Sequence, residues 1–120
     1  MKPVTFLAVA ALSLVSVGAT AAPASLSGDG ILVDGDGMTL YIFDRDRPNV
    51  SNCYDGCAQA WPPFIAAESA AAEGDFGLVT RRDGTAQWSY KGMPLYYWAG
   101  DQQPGDATGD GVGGVWHILR

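Results

Sequence analysis

The sequence is poor in the residues that most often carry chemistry. It has one histidine, His117, and two cysteines, Cys53 and Cys57, in 120 residues. A hydrolytic triad would have to rest on His117 alone, and Ser27, Ser51, Ser69 and Ser89 sit in no nucleophile-elbow context. No Cys-x-x-Cys-His is present, which excludes covalent haem. There is also no phosphate-cradling glycine loop and no His-Glu-x-x-His. Asp34-Gly35-Asp36-Gly37 and the segment from Asp106 to Gly111 are rich in Asp and Gly, but lack the EF-hand spacing and its terminal bidentate Glu. Basic residues are scarce as well. Seven Lys plus Arg face thirteen Asp plus Glu, a net charge of −6. That balance argues against a nucleic-acid footprint or a polybasic membrane patch.

Long apolar runs are confined to one place. Phe6 to Val17 is apolar except for serines, follows Lys2 and leads into small residues. A positive start, a short apolar stretch and an Ala-x-Ala end describe a secretory signal peptide. Cleavage is expected after Ala19-Thr20-Ala21, with Ala22-Pro23-Ala24 as a second site. The run is shorter than the roughly 20 residues a membrane span needs. No Cys lies near the cleavage site, so no lipid anchor is expected there. The mature protein is therefore expected to be secreted or periplasmic. Residues 22–29 read as a linker and 30–120 as one domain, since domains usually hold about 100–200 residues.

Within that domain the chain repeats itself. Gly37-Met38-Thr39-Leu40-Tyr41-Ile42-Phe43 precedes Asp46, Asp55-Gly56 and Trp61. Fifty-five residues later stand Gly92-Met93-Pro94-Leu95-Tyr96-Tyr97-Trp98, Asp101, Asp110-Gly111 and Trp116. The match needs no gap, which makes the mature chain a tandem duplication, with repeats at about 30–64 and 76–120. Tyr41, Phe43 and Asp46, repeated as Tyr96, Trp98 and Asp101, form a Tyr-x-aromatic-x-x-Asp pattern. Between the copies lie Cys53-x-x-x-Cys57, Trp61-Pro62-Pro63, Arg82-Asp83-Gly84-Thr85 and Gln87-Trp88. On these residues the chain resembles a bacterial family of secreted repeats of unknown function, predicted lipoproteins with a YxFWYxxD motif. The resemblance covers residue 30 to the C-terminus. The lipobox cysteine of many members is missing here, so tethering is not expected.

The local signals are those of β-structure. Ile31 to Val33 and Met38 to Phe43 read as strands around a tight Asp-Gly turn. Gly77–Arg81, Ala86–Tyr90 and Met93–Trp98 read as a three-strand meander, and Val115–Leu119 as a closing strand. Gly56 to Trp61 suits one helical turn, and the alanine-rich Ile65 to Glu73 suits a short surface helix. The expected fold is mainly β, a small antiparallel domain of two tandem pseudo-symmetric repeats. Period-two geometry puts Tyr41 and Phe43 on one strand face and Leu40 and Ile42 on the other, with Tyr96 and Leu95 behaving alike. Strands apolar on both faces belong at the centre.

Candidate sites follow from these elements. Cys53 and Cys57 are expected to form a disulfide in an exported protein. The competing reading is a redox or copper site in which two thiolates and His117 make a soft ligand set suited to Cu(I). Cys-x-x-x-Cys with a distant His also resembles copper-delivering thioredoxin-like assembly proteins, but their βαβ crossovers are not seen here. The duplicated Tyr and Asp residues are better explained as a folding unit than as an active site, because buried phenols need partners. Together these readings point to a non-enzymatic envelope binding or accessory module with no cofactor. Such a module predicts an exposed aromatic patch among Trp61, Trp88, Trp98 and Trp116. Its ligand or partner is not named by the residues.

Overall fold

The structure, a computed structural model, describes residues 22–120. The signal peptide read at 1–21 lies outside the described residues. The remainder is mainly β, built of short antiparallel strands.

The chain starts with a hairpin, β1 (Ala24–Leu26) paired with β2 (Leu32–Asp34). Residues 24–26, expected within a linker, are therefore part of the fold. Ala24 is buried in the core, which gives that segment an apolar anchor. The turn after β2 is organised by Asp34, whose Oδ1 accepts the amides of Asp36 and Met38, both at 2.9 Å. Gly37 closes it at φ +87°, a region that costs glycine nothing.

β3 (Tyr41–Phe43) follows, then a disulfide loop whose second cysteine sits in the one-turn helix α1 (Gly56–Ala60). Next come β4 (Ile65–Ala66), β5 (Phe76–Thr80), β6 (Ala86–Tyr90), β7 (Met93–Pro94) and β8 (Trp116–Ile118). β6 is the hub of one sheet, in order β4-β6-β5 with β7 also paired to β6. The helix expected over Ile65 to Glu73 is absent. Ile65 and Ala66 pair instead with Gln87 and Ala86, and beyond them a turn at Glu68-Ser69 leads into irregular chain over Ala70 to Ala72. Alanine's helix propensity is weak support in a stretch with no apolar stripe to bury, and the sheet edge offers backbone partners.

The repeats do not pack as two separate hairpins. They exchange strands about the Tyr41–Tyr96 pair, whose backbones bond reciprocally, Tyr41 N to Tyr96 O at 2.8 Å and Tyr96 N to Tyr41 O at 3.0 Å. Tyr41 pairs with Ile118 from the end of the second repeat, and Tyr96 bridges Pro63 from the end of the first. The Asp44 amide bonds Val115 O, and its 55-residue equivalent, Ala99, bonds Ala60 O. Each central strand is thus completed by the other repeat.

Alternation along these strands separates two cores. Leu40 and Leu95 point into one, with Ala24 and Leu32. Tyr41 and Tyr96 point into the other, with Trp61, Trp116 and Cys53. All four strand residues are fully buried, as expected for strands covered on both faces.

Candidate functional site: the aromatic core and its polar ends

The second core is a stack of rings. Phe43 lies on Trp116 at 4.2 Å, Trp116 on Trp61 at 3.8 Å, and Trp61 on Trp98 at 4.2 Å. Tyr41 meets Trp61 edge-on at 5.3 Å, and Tyr96 meets Trp116 edge-on at 5.1 Å. The pattern is its own image under the 55-residue shift. Each contact of this kind contributes about 0.5–1.5 kcal/mol beyond burial. The expected exposed aromatic patch is not present. Trp61 and Trp116 are 4% exposed, Trp98 caps the stack half-buried, and Trp88 packs half-buried against the leucine core. Stacking against their repeat equivalents consumes the faces that a ligand would have used.

The tyrosine hydroxyls find carboxylates, and the pairing crosses between repeats. Tyr41 donates to Asp101 Oδ2 at 2.6 Å, and Tyr96 donates to Asp46 Oδ2 at 2.7 Å. Asp46 and Asp101 in turn brace their own loops. Asp46 Oδ1 accepts the Asn52 amide, and Asp101 Oδ1 accepts the amide and hydroxyl of Thr108. Burial, reinforced by the Asp101 carboxylate, pushes the Tyr41 phenol well above its ordinary value of 10.0. Burial does the same for Tyr96, with the Asp46 carboxylate adding to it. Burial also raises Asp46 above the usual carboxylate range, against the opposing pull of the Asn52 amide, the Tyr96 hydroxyl and the Arg81 charge. Tyr97 makes a third such pair, donating to Asp34 Oδ2 at 2.6 Å.

Behind Tyr96 lies a network that composition alone did not bring forward. Ser51 Oγ lies 2.5 Å from the Tyr96 hydroxyl, and Arg81 Nη1 donates to Ser51 Oγ at 3.0 Å and to Gln87 Oε1 at 2.8 Å. Arg81 Nη2 donates to Cys53 O at 2.8 Å. Ser51, Arg81 and Gln87 are all buried. The only advance signal was their setting: Arg81 and Gln87 flank a hairpin turn next to apolar strand residues.

Cys53 and Cys57 form a disulfide with their Cα atoms 5.2 Å apart. It spans Asp55, which holds φ +55° and ψ −124°, a backbone state that costs a non-glycine residue about 1–3 kcal/mol. His117 does not join the cysteines. Its Nε2 lies 2.8 Å from Asp44 Oδ2 on the surface. Among the described residues no group of three or more His, Cys, Asp or Glu is placed to hold a metal.

A profile of the family described as a secreted repeat of unknown function matches the chain twice, at residues 26–65 and 77–120. The two matches fall on the two halves that exchange strands and together span well over half of the chain. The protein belongs to this secreted-repeat family. No curated protein and no solved structure matches it significantly. For this secreted repeat, the fold explains why one unit does not suffice. A single copy would leave its tyrosine hydroxyl without a carboxylate and its central strand without a neighbour.

Proposed function

We propose that this secreted repeat is an exported cell-envelope protein acting as a non-enzymatic binding or accessory module. The observation that supports the reading most is the engagement of the duplicated polar groups with one another. Tyr41, Tyr96, Asp46 and Asp101 spend their hydrogen-bonding capacity on one another across the repeats and on bracing their own loops. They act as a frame, and recognition falls to the surface loops it carries. On this reading the protein works outside the cytoplasm without a lipid anchor, and its partner is an envelope component.

The alternative is a redox or copper-handling role for Cys53, Cys57 and His117. It would require the disulfide to be reduced and His117 to leave Asp44. Two measurements separate the readings. The binding module predicts saturable cosedimentation of the mature protein with envelope fragments of the expressing cell. It also predicts a native mass, in the exported fraction without reductant, equal to the cleaved chain minus two hydrogens. Failure to cosediment contradicts the binding role. A mass carrying copper, or two free thiols, replaces it with the redox role.

A further inference from the structure

Arg81 is 6% exposed, and although its charge favours the ionised Asp46 and Asp83 carboxyls through space, no carboxylate lies within 4 Å of its guanidinium. Among the described residues the one ion pair is His117–Asp44. The three bonds Arg81 makes all go to neutral acceptors, Ser51, Gln87 and the Cys53 carbonyl. Its Nε–H and one Nη2–H have no protein acceptor among the described residues. A buried charge without a contacting counterion is costly, because desolvation is not repaid by a direct ionic contact. This side chain is also part of the wall of a surface cleft of about 520 Å³.

The cleft is built around Tyr54. Both the Arg81 and the Arg82 guanidinium lie over its ring, at 4.2 and 4.0 Å. Two like charges sharing one ring are held there by cation–π attraction, which leaves the Arg82 guanidinium N–H groups and the two unbonded Arg81 N–H groups for another partner. Arg82 is exposed. The lining also has an apolar part, Ala58, Pro63 and Ile65, the last 46% exposed. Asp83 and Asp55 also line the cleft. Asp83 Oδ1 is occupied by the Thr85 amide and hydroxyl, at 2.9 and 2.7 Å, and Asp55 lies on the strained disulfide loop. These acids bring the rim close to neutrality, which disfavours a polyanion, so the attraction for an oxyanion is confined to the guanidinium N–H groups.

We infer that the Tyr54 cleft is a binding site for a single carboxylate or phosphate group carried on an apolar body, with Arg81 and Arg82 receiving the oxyanion and Ile65 and Pro63 the body. This rests on the binding-module reading and gives that module a ligand class. Planar guanidinium forks are suited to both oxyanions.

The test follows Arg Nε–Hε resonances of the mature protein while acetate and, separately, inorganic phosphate are added at constant ionic strength. Arg82→Gln is compared with Arg47→Gln, which lies on a different groove; Arg81 is left intact because its bonds hold the core. Saturable shifts at Arg81 and Arg82, weakened about tenfold or more by Arg82→Gln and unchanged by Arg47→Gln, support the site. The oxyanion that saturates identifies the ligand class. No saturation with either, or equal weakening by the two substitutions, overturns it. Cosedimentation with envelope fragments that survives Arg82→Gln overturns the cleft and leaves the binding module standing. Absence of cosedimentation in the unmodified protein removes the module itself, whatever the resonances show.

Discussion

Tyr41 and Tyr96 occupy the same place in repeats 55 residues apart, yet their hydroxyls meet different surroundings. Tyr41 OH accepts the Gly109 amide at 3.1 Å, and its partner Asp101 is braced by Thr108 alone. Tyr96 OH meets Ser51, which is backed by Arg81, which in turn holds the carbonyl of a disulfide cysteine. One end of the duplicated core uses the backbone; the other uses a buried polar network and a covalent staple. After duplication the ring stack and the crossed Tyr–Asp bonds kept their geometry, while the loops beyond them found separate ways to satisfy the same hydroxyl. Only the first-repeat loop is backed by a buried cation, Arg81 of the second repeat, that contacts no carboxylate, and the cleft beside that loop is where we place the ligand.

Arg81→Met should separate the two ends of the core most strongly. It strips Ser51 and Gln87 of a charged donor, and relieving the buried charge offsets only part of that. Urea unfolding should show a loss of about 3–4 kcal/mol. A loss below that of a surface substitution would contradict the role given to the network. The backbone end is most sensitive at Gly109, where an added Cβ would lie 2.8 Å from both Trp61 and Trp98. Gly109→Ala should cost about 2–3 kcal/mol by overpacking. It should also shift the near-ultraviolet circular dichroism of the stack.

Much of this frame was legible in the residues. The repeat, the two-faced strands, the meander and the cysteine pair all come from local pattern and spacing. The exchange of strands did not, because a repeat reads the same whether it closes on itself or on its copy. Nothing in Tyr41-x-Phe43-x-x-Asp46 says that Tyr41 turns from Asp46 to Asp101. Trp61 and Trp116 illustrate the same limit. Each alone suggests an exposed platform, and only the dyad shows that each covers the other. Arg81 was hidden for a different reason: an arginine at the end of a strand, here followed by Arg82, normally points to water.

Reduction sharpens the comparison further. The short loop closed by Cys53–Cys57 should contribute about 2 kcal/mol through chain entropy. Removing it should raise amide exchange at Ser51 to Cys57 and leave Thr108 and Gly109 protected. Equal loosening at both ends would show that the staple serves the whole core. The last effect concerns alkali. Tyr41, Tyr96 and Tyr97 all have phenols raised above 10.0, by burial first. Above pH 10 the folded chain therefore holds protons that the unfolded chain has lost. Stability is complete below that pH and falls as pH rises, by about 1.4 kcal/mol per pH unit for each tyrosine. Absorbance at the phenolate band should show these tyrosines ionising together with the loss of near-ultraviolet circular dichroism. Their ionisation while the fold persists would contradict their burial.

If crossed tyrosine–carboxylate bonds lock the repeats together, double-mutant cycles on unfolding free energy will show it. Tyr41→Phe with Asp101→Asn, and Tyr96→Phe with Asp46→Asn, should couple by about 1 kcal/mol or more. The pairings within one motif, Tyr41 with Asp46 and Tyr96 with Asp101, should be additive within about 0.5 kcal/mol. Coupling within each motif and additivity across the repeats would contradict the account.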